Sequence, residues 1–201
     1  MKILSRLFRK ETQPVIVVSG LPRSGTSMLM KMLEAGGLEV LTDHVRQPNE
    51  DNPKGYYEFE RVKKLPDGDT AWLKDAEGKV VKVISALLMH LPSDHTYKIL
   101  FMRRDMEEIL ASQKQMLVRR GEPADKVDDG EMARLFEKHL REVQAWLGRQ
   151  PHIAHLDVDY NAMLRDPHPQ LARIRPFMDC ALDLEKMAGV IDPALYRQKK
   201  G

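Results

Sequence analysis

Several features that mark other classes of protein are scarce or absent in this sequence. A single cysteine, Cys180, excludes an internal disulfide and a cysteine-rich zinc site. One cysteine is compatible with a reducing compartment, and we expect a cytoplasmic location. No run of about 18 apolar residues occurs, so the sequence predicts no membrane-spanning helix. The net charge at pH 7 is only +2, which gives no reason to expect a nucleic-acid partner.

The sequence also contains no internal repeat, low-complexity segment or evident linker. Its 201 residues are most simply one domain over 1–201, with 1–13 as an N-terminal extension. The first ten residues are basic and mildly amphipathic, but they lack the long apolar region and the cleavage site of a signal peptide.

Short apolar runs alternate with amphipathic segments along the chain. Strands are predicted at 14–19, 39–41, 80–85, 97–102 and 153–158. Helices are predicted at 26–35, 86–90, 105–119, 131–147, 161–164, 169–178 and 184–188. This alternation predicts a three-layer α/β fold, in which helices flank a central parallel sheet. Ligands in such sheets bind beyond the carboxyl ends of the strands.

The most informative segment joins the first predicted strand to the first predicted helix. Its residues 20–27 read GLPRSGTS, and Gly20 and Gly25 have the spacing of the nucleotide-binding phosphate loop G-x-x-x-x-G-K-[ST]. Thr26 stands where that motif has lysine, and Arg23 supplies a cation inside the loop instead. A guanidinium suits phosphate or sulfate oxygens. The segment therefore predicts an anionic nucleotide held without the magnesium apparatus of a kinase.

A second candidate anion site follows the predicted strand at 97–102. Arg104 lies just after this strand, and Ser112 lies eight residues later, about two turns into the next helix. A guanidinium at a strand end and a hydroxyl on the following helix can face one phosphate. The alternative is an ordinary surface arginine.

These two motifs resemble those of sulfotransferases that use 3′-phosphoadenosine 5′-phosphosulfate (PAPS). Residues 21–27 resemble the family's 5′-phosphosulfate loop, and the Arg104–Ser112 spacing resembles its 3′-phosphate motif. Asp105-Met106 replaces the usual Asn-Pro after the arginine. A weaker similarity covers 155–177. The resemblance implies a P-loop NTPase-like architecture and metal-independent sulfuryl transfer to a hydroxyl or amine by in-line displacement, with release of adenosine 3′,5′-bisphosphate.

The resemblance also implies roles for individual residues. The 5′-phosphate and the transferring sulfuryl group are expected at Arg23, Ser24, Gly25, Thr26 and Ser27. The 3′-phosphate is expected at Arg104 and Ser112. Lys82, a cation inside an apolar strand, corresponds to a lysine that stabilises the leaving group's bridging oxygen. Its alternative is an edge-strand lysine that reaches water.

Several residues are candidates for the proton acceptor. Glu58 is preferred because it lies in the segment NPKGYYEFE at 52–60, which is similar to an N-P-x-G-Y-x-E segment of bacterial relatives. Glu60, His44 and His90 are the alternatives. A general base is useful because the acceptor must lose its proton.

The acceptor itself is expected to be a small molecule, glycan, lipid or peptide, bound by the loops at 42–78 and 121–130. Two other functions remain open at this point. One is a magnesium-dependent nucleotide or small-molecule kinase with a variant loop, and the other is a nucleotide-binding protein without catalytic activity.

Overall fold

Short β-branched runs form the sheet in the computed structural model, which describes residues 13–43, 45, 55–123 and 128–192. The strands are β1 (Val15–Gly20), β2 (Val80–Lys82), β3 (Tyr97–Arg103) and β4 (Ile153–Asp159). Over the described residues they form one four-stranded sheet in the order β2-β1-β3-β4, and all three pairings are parallel. The predicted N-terminal extension and His44 lie outside the described residues, except for Gln13.

Helices connect the strands. The α-helices are α1 (Thr26–Ala35), α2 (Met106–Arg119), α3 (Asp129–Leu147), α4 (Tyr160–Arg165), α5 (Pro167–Met178) and α6 (Leu184–Ala188). Short 3₁₀ helices cover Glu60–Asp67, Ala71–Lys74 and Ser85–His90. An aspartate caps α2 to α6 at each amino end, because its carboxylate accepts a first-turn N–H. No described helix is long and apolar enough to cross a bilayer.

The core is divided between the two faces of the sheet. Alternate side chains of each strand point to opposite faces. Val15 and Val17 therefore join a cluster with Trp72, Phe101 and α3, while Ile16 and Val18 face α1 and the C-terminal helices. Each fully buried side chain of this size contributes about 1.5–3 kcal/mol through removal of apolar surface from water. The predicted three-layer α/β fold is confirmed.

The strand order determines where a ligand can bind. β1 lies between β2 and β3, so the chain leaves β1 for one neighbour and later returns to the sheet on its other side. The crevice outside the carboxyl ends of β1 and β3 is therefore a topological switch point, where ligands of open α/β sheets bind. Gly20 is paired with Met102 there, which brings the two predicted anion sites together.

Two predicted strands differ from the structure. The segment at 39–41 forms only an isolated bridge between Val40 and Val80. β2 ends at Lys82, three residues earlier than predicted, because the chain turns at Ile84 into the 3₁₀ helix that begins at Ser85. Lys82 consequently stands at the carboxyl end of its strand, on the same edge as Gly20.

Candidate active site

The loop at 20–27 turns sharply between β1 and α1, and both of its glycines are required by the surroundings. Gly20 has a φ of 148°, and a Cβ there would lie 2.9 Å from the carbonyl oxygen of Met102. Gly25 has a φ of 98° and caps α1, and its Cβ would lie 2.3 Å from the ring of Tyr160. Only glycine fits at such positions without strain. The loop therefore lies directly against β3 and α4.

The interior of this loop carries polar groups suited to an anion. The Ser24 amide donates to the Leu21 carbonyl at 3.2 Å, so it closes the turn. The Ser24 hydroxyl is buried and has no hydrogen-bond partner among the described residues. The first backbone N–H groups of α1, which starts at Thr26, have no partner within the helix, and the helix dipole favours negative charge there. These donors fit a bound phosphate or sulfate group.

Arg23 connects the loop to α2. It adopts a left-handed backbone conformation with a φ of 71°. Its Nε donates to the Ser112 hydroxyl at 3.0 Å, and its carbonyl oxygen accepts from Arg104 Nη1 at 2.9 Å. Arg23 thus joins the two predicted anion motifs, because it contacts both Ser112 and Arg104.

Arg104 itself is buried in a polar network beneath the loop. Its Nε donates to Glu108 Oε2 at 3.0 Å, and the two side chains are only 7% and 2% exposed. The guanidinium lies over the ring of Tyr160, 4.5 Å from the centroid. Asn161 Nδ2 donates to the other Glu108 oxygen at 2.9 Å. Burial raises the pKa of the Tyr160 hydroxyl, which keeps the ring neutral under the loop.

The neighbouring arginine takes a different direction. Arg103 Nε donates to Asp157 at 3.0 Å, and its Nη2 donates to Gln144 on α3. The structure therefore separates the adjacent arginines: Arg103 contacts β4 and α3, whereas Arg104 donates to the loop at 20–27.

A second group of polar side chains meets the start of α1. Lys82 Nζ donates to the Ser27 hydroxyl at 3.4 Å and to the carbonyl oxygen of Tyr56. The Ser27 hydroxyl also donates to that carbonyl at 3.3 Å. Lys82 is 8% exposed, so it does not extend into water as an ordinary edge-strand lysine would. The Tyr56 carbonyl oxygen therefore accepts from both the Ser27 hydroxyl and the Lys82 ammonium. An oxygen of a bound anion could accept from the same two groups.

Glu58 lies beside this group. Its Oε1 is 3.9 Å from Lys82 Nζ, and its Oε2 is 3.8 Å from Lys63 Nζ. Its side chain is 19% exposed, which leaves the carboxylate partly open to a bound molecule. The alternative Glu60 pairs with Lys63 at 2.7 Å. His90 is exposed at the end of a 3₁₀ helix. Of these three, Glu58 is the one with a described contact to Lys82.

Sequence reasoning missed several members of the site. Glu108 was signalled only by its spacing of four residues after Arg104, at which a carboxylate can reach a guanidinium. The Tyr56 carbonyl gave no local signal, because its contacts with Lys82 and Ser27 join segments far apart in the chain. Lys63 pairs with Glu58 and Glu60, which are five and three residues away, so spacing was an available signal for it. The Tyr56–Glu58 segment is held over α1 by Tyr57, whose hydroxyl donates to Glu34 at 2.6 Å.

Taken together, the site has two ends. One combines Arg23 with Ser112 above the buried Arg104, and the other combines Lys82, Ser27 and Glu58. Fixed donors of this kind stabilise negative charge that develops on oxygen, and a nearby carboxylate can accept a proton. The arrangement is suited to group transfer from an anionic donor to a hydroxyl or amine.

Comparison with known proteins identifies the family of the chain. Residues 54–183 match a family model described as "Sulfotransferase family". The match starts beyond the loop at 20–27, so it does not depend on that motif, and it includes the second motif at Arg104 and Ser112. No curated protein sequence matches the chain.

Solved structures are similar to the chain over most of its length. The sulfotransferase domain of the Synechococcus PCC 7002 olefin synthase is 16% identical with a TM-score of 0.53, over 92% of this chain and 87% of that chain. Sulfotransferase STF1 from Mycobacterium tuberculosis H37Rv is 18% identical with a TM-score of 0.55, over 90% and 71%. These likenesses show a common fold. Because the family model matches more than half of the chain, the protein belongs to the sulfotransferase family of enzymes, which transfer sulfuryl groups.

Proposed function

We propose that the protein transfers a sulfuryl group from PAPS to a hydroxyl or amine of its acceptor. The observation that carries this proposal is the position of Lys82. Its ammonium contacts Ser27 at the start of α1 and lies 3.9 Å from the Glu58 carboxylate. A cation, a hydroxyl and a carboxylate thus meet at one end of an anion-binding loop.

The chemical step follows from these positions. In an in-line displacement, the acceptor oxygen or nitrogen forms a bond to sulfur while the bond from sulfur to the bridging oxygen breaks. Lys82 and Ser27 would stabilise the charge that develops on the leaving oxygen, which departs with adenosine 3′,5′-bisphosphate. Glu58 would take the acceptor's proton. Most of the rate enhancement would come from positioning and from this charge stabilisation.

The same end of the sheet argues against the kinase alternative. A magnesium-dependent phosphoryl transferase of the P-loop class holds its metal with an acidic residue near a neighbouring strand end. β2 ends here in Lys82, a cation that would repel the metal. Thr26 also stands where the phosphate-binding lysine of such enzymes is expected.

The test is transfer of radiolabelled sulfate from PAPS to a panel of sugars, phenols, lipid alcohols and peptides. We expect at least one acceptor class to be labelled without added magnesium. Lys82→Met should reduce kcat by about 10²–10³-fold, as removal of an oxyanion donor does. Glu58→Gln should reduce it by about 10²–10⁴-fold, as removal of a general base does. Both variants should still bind adenosine 3′,5′-bisphosphate.

Lys98→Met is the matched control, because Lys98 is also a strand lysine but donates to the Met178 carbonyl, away from this site. Its kcat should stay near that of the wild type. Tight bisphosphate binding with no labelled acceptor in the panel would favour the non-catalytic alternative. Turnover of ATP that requires magnesium, with no sulfate transfer, would contradict the proposal.

A further inference from the structure

We propose that Thr42 and Asp43 are positioning residues, which hold the backbone of Glu58 so that its carboxylate lies beside Lys82. The inference rests on the proposed function, because it takes Glu58 as the group that receives the acceptor's proton. Thr42 and Asp43 need not touch the nucleotide or the acceptor in this role. They act through main-chain groups of residues 58 and 60.

The Glu58 side chain shows why its backbone must be held. Its Oε1 is 3.9 Å from Lys82 Nζ, and its Oε2 is 3.8 Å from Lys63 Nζ. The Lys63 side chain is 59% exposed, so this second pair is screened by water. Contacts of this length restrict a flexible side chain only weakly. The placement of the carboxylate therefore depends also on the main chain from which the side chain projects.

Thr42 and Asp43 bind that main chain at two points. The Thr42 hydroxyl donates to the Glu58 carbonyl at 2.9 Å, and the Asp43 amide donates to the same oxygen at 3.3 Å. The Glu60 amide donates to Asp43 Oδ2 at 2.6 Å. The other carboxylate oxygen of Asp43 accepts from the Val45 amide at 3.1 Å, which orients the carboxylate. Two consecutive residues thus fix the chain from 58 to 60.

The Asp43 carboxylate also caps the 3₁₀ helix that follows Glu58. This helix spans Glu60–Asp67, and its own N-cap residue is Phe59, whose ring offers no hydrogen-bond acceptor. The first N–H groups of a helix need an acceptor from outside, and the helix dipole favours a negative charge there. Lys63 lies one turn into the same helix, so the cap also holds the cation that pairs with Glu58.

The segment that contains Thr42 and Asp43 is joined to β2, the strand of Lys82. The Leu41 amide donates to the Val80 carbonyl at 2.7 Å, and the bridge between residues 40 and 80 is parallel. The chain at 40–43 therefore runs in the direction of β2, towards the end at which Lys82 stands. The same segment holds the Glu58 backbone and lies beside β2, so it links the two groups whose spacing the transfer step needs.

The expected consequence is an effect on the chemical step. A displacement of a reacting group by about 1 Å can cost about 10²-fold in rate. Binding of the nucleotide should not change, because Thr42 and Asp43 contact the chain at 58–60 and not the loop at 20–27. A positioning role therefore predicts a lower kcat with an unchanged affinity for adenosine 3′,5′-bisphosphate.

The kinetic test combines Thr42→Val with Asp43→Ala, which removes both side-chain contacts. We expect kcat for the acceptor that the panel labels best to fall by about 10–100-fold. Thr42→Ser combined with Asp43→Asn should recover part of the rate, since serine keeps the hydroxyl and asparagine can still accept from one amide. Asp166→Ala is the matched control, because Asp166 caps α5 through the His168 amide at 3.1 Å. Its kcat should equal that of the wild type.

A double-mutant cycle shows whether the two residues act through Glu58. In a Glu58→Gln background, Thr42→Val with Asp43→Ala should cause no further loss of kcat, because the group that they position is already absent. A further loss by the same factor would show that they act on another part of the site. That result would overturn the inference and leave the proposed function intact.

A zero-length carbodiimide cross-link tests the geometry without any acceptor. The reagent joins a carboxylate to an adjacent amine as an amide, so Glu58 can be linked to Lys82 or to Lys63, and peptide mass spectrometry measures the ratio of the two products. Thr42→Val with Asp43→Ala should lower the share of the Lys82 product, whereas the link to Lys63 is local in sequence and should persist. An unchanged ratio would overturn the inference even if kcat falls. A lowered ratio in a protein that labels no acceptor would support the positioning and count against the proposed function.

Discussion

Among individual side chains, Arg104 and Glu108 form a buried ion pair, and burial of two charges carries a large electrostatic cost. Charges that leave water must be compensated by partners, and this pair has them in Asn161, the Arg23 carbonyl and the Tyr160 ring. The pair is therefore a sensitive point for stability as well as for the shape of the loop.

We expect Glu108→Ala to lower the free energy of unfolding by about 3–5 kcal/mol, because it leaves the Arg104 guanidinium buried without its carboxylate. Urea denaturation measures this change. Glu142→Ala is the control, since Glu142 pairs with Lys138 at the same spacing on the exposed side of α3 and should cost about 0.5 kcal/mol or less. A loss of less than about 1 kcal/mol in Glu108→Ala would mean that the pair is not buried in solution.

Single side chains also show where sequence reasoning stops. Gly20, Gly25 and Arg104 could be selected because glycine spacing and strand ends are local signals. The direction of Arg23 could not, because it depends on a left-handed φ and on a bond from Arg104 81 residues away in the chain.

Among the connecting segments, the loop at 20–27 has a backbone that tolerates few substitutions at its two glycines. Its two glycines bring the chain against β3 and against Tyr160, as the close approaches at Gly20 and Gly25 indicate. Replacement of either glycine should therefore lower the stability of the protein in two ways. The backbone is strained at a positive φ, and the new Cβ collides with a neighbouring atom. A glycine with a positive φ but no close neighbour separates the two effects.

We expect Gly25→Ala to destabilise the protein by about 2–4 kcal/mol, because strain at a positive φ adds to a collision with the Tyr160 ring. Gly37→Ala is the matched control: Gly37 has a φ of 102°, but no atom of the described residues lies within 4 Å of its Cβ position, so the substitution should cost only about 1 kcal/mol of strain. Chemical denaturation compares the two. Equal losses would show that the Tyr160 ring does not press on the loop.

Regular elements were predictable where the local pattern is strong. The helix at 26–35 and the helix at 184–188 match the structure in both bounds, because glycine or aspartate marks their ends. The bend after Lys82 and the position of the Tyr56 carbonyl were not predictable. The bend reflects the turn at Ile84 into a 3₁₀ helix. The position of the carbonyl depends on contacts with Lys82 and Ser27, which are distant from it in sequence.

For the fold as a unit, the parallel sheet explains why two separate motifs form one site. The order β2-β1-β3-β4 brings the carboxyl ends of β1, β2 and β3 side by side. Lys82, the glycine loop and Arg104 each lie at one of these ends. The topology could be inferred from strand and helix alternation, and membership of the sulfotransferase family is consistent with it. The identity of the acceptor does not follow from the topology, since a fold does not specify its substrate.

The most direct test of the central claim is equilibrium binding of adenosine 3′,5′-bisphosphate, compared with ATP, in the presence and absence of magnesium. A PAPS-dependent site should bind the bisphosphate at least about tenfold more tightly than ATP, a difference of about 1.4 kcal/mol, and magnesium should not improve it. Tighter binding of ATP that depends on magnesium, with no preference for the bisphosphate over adenosine 5′-monophosphate, would contradict the account.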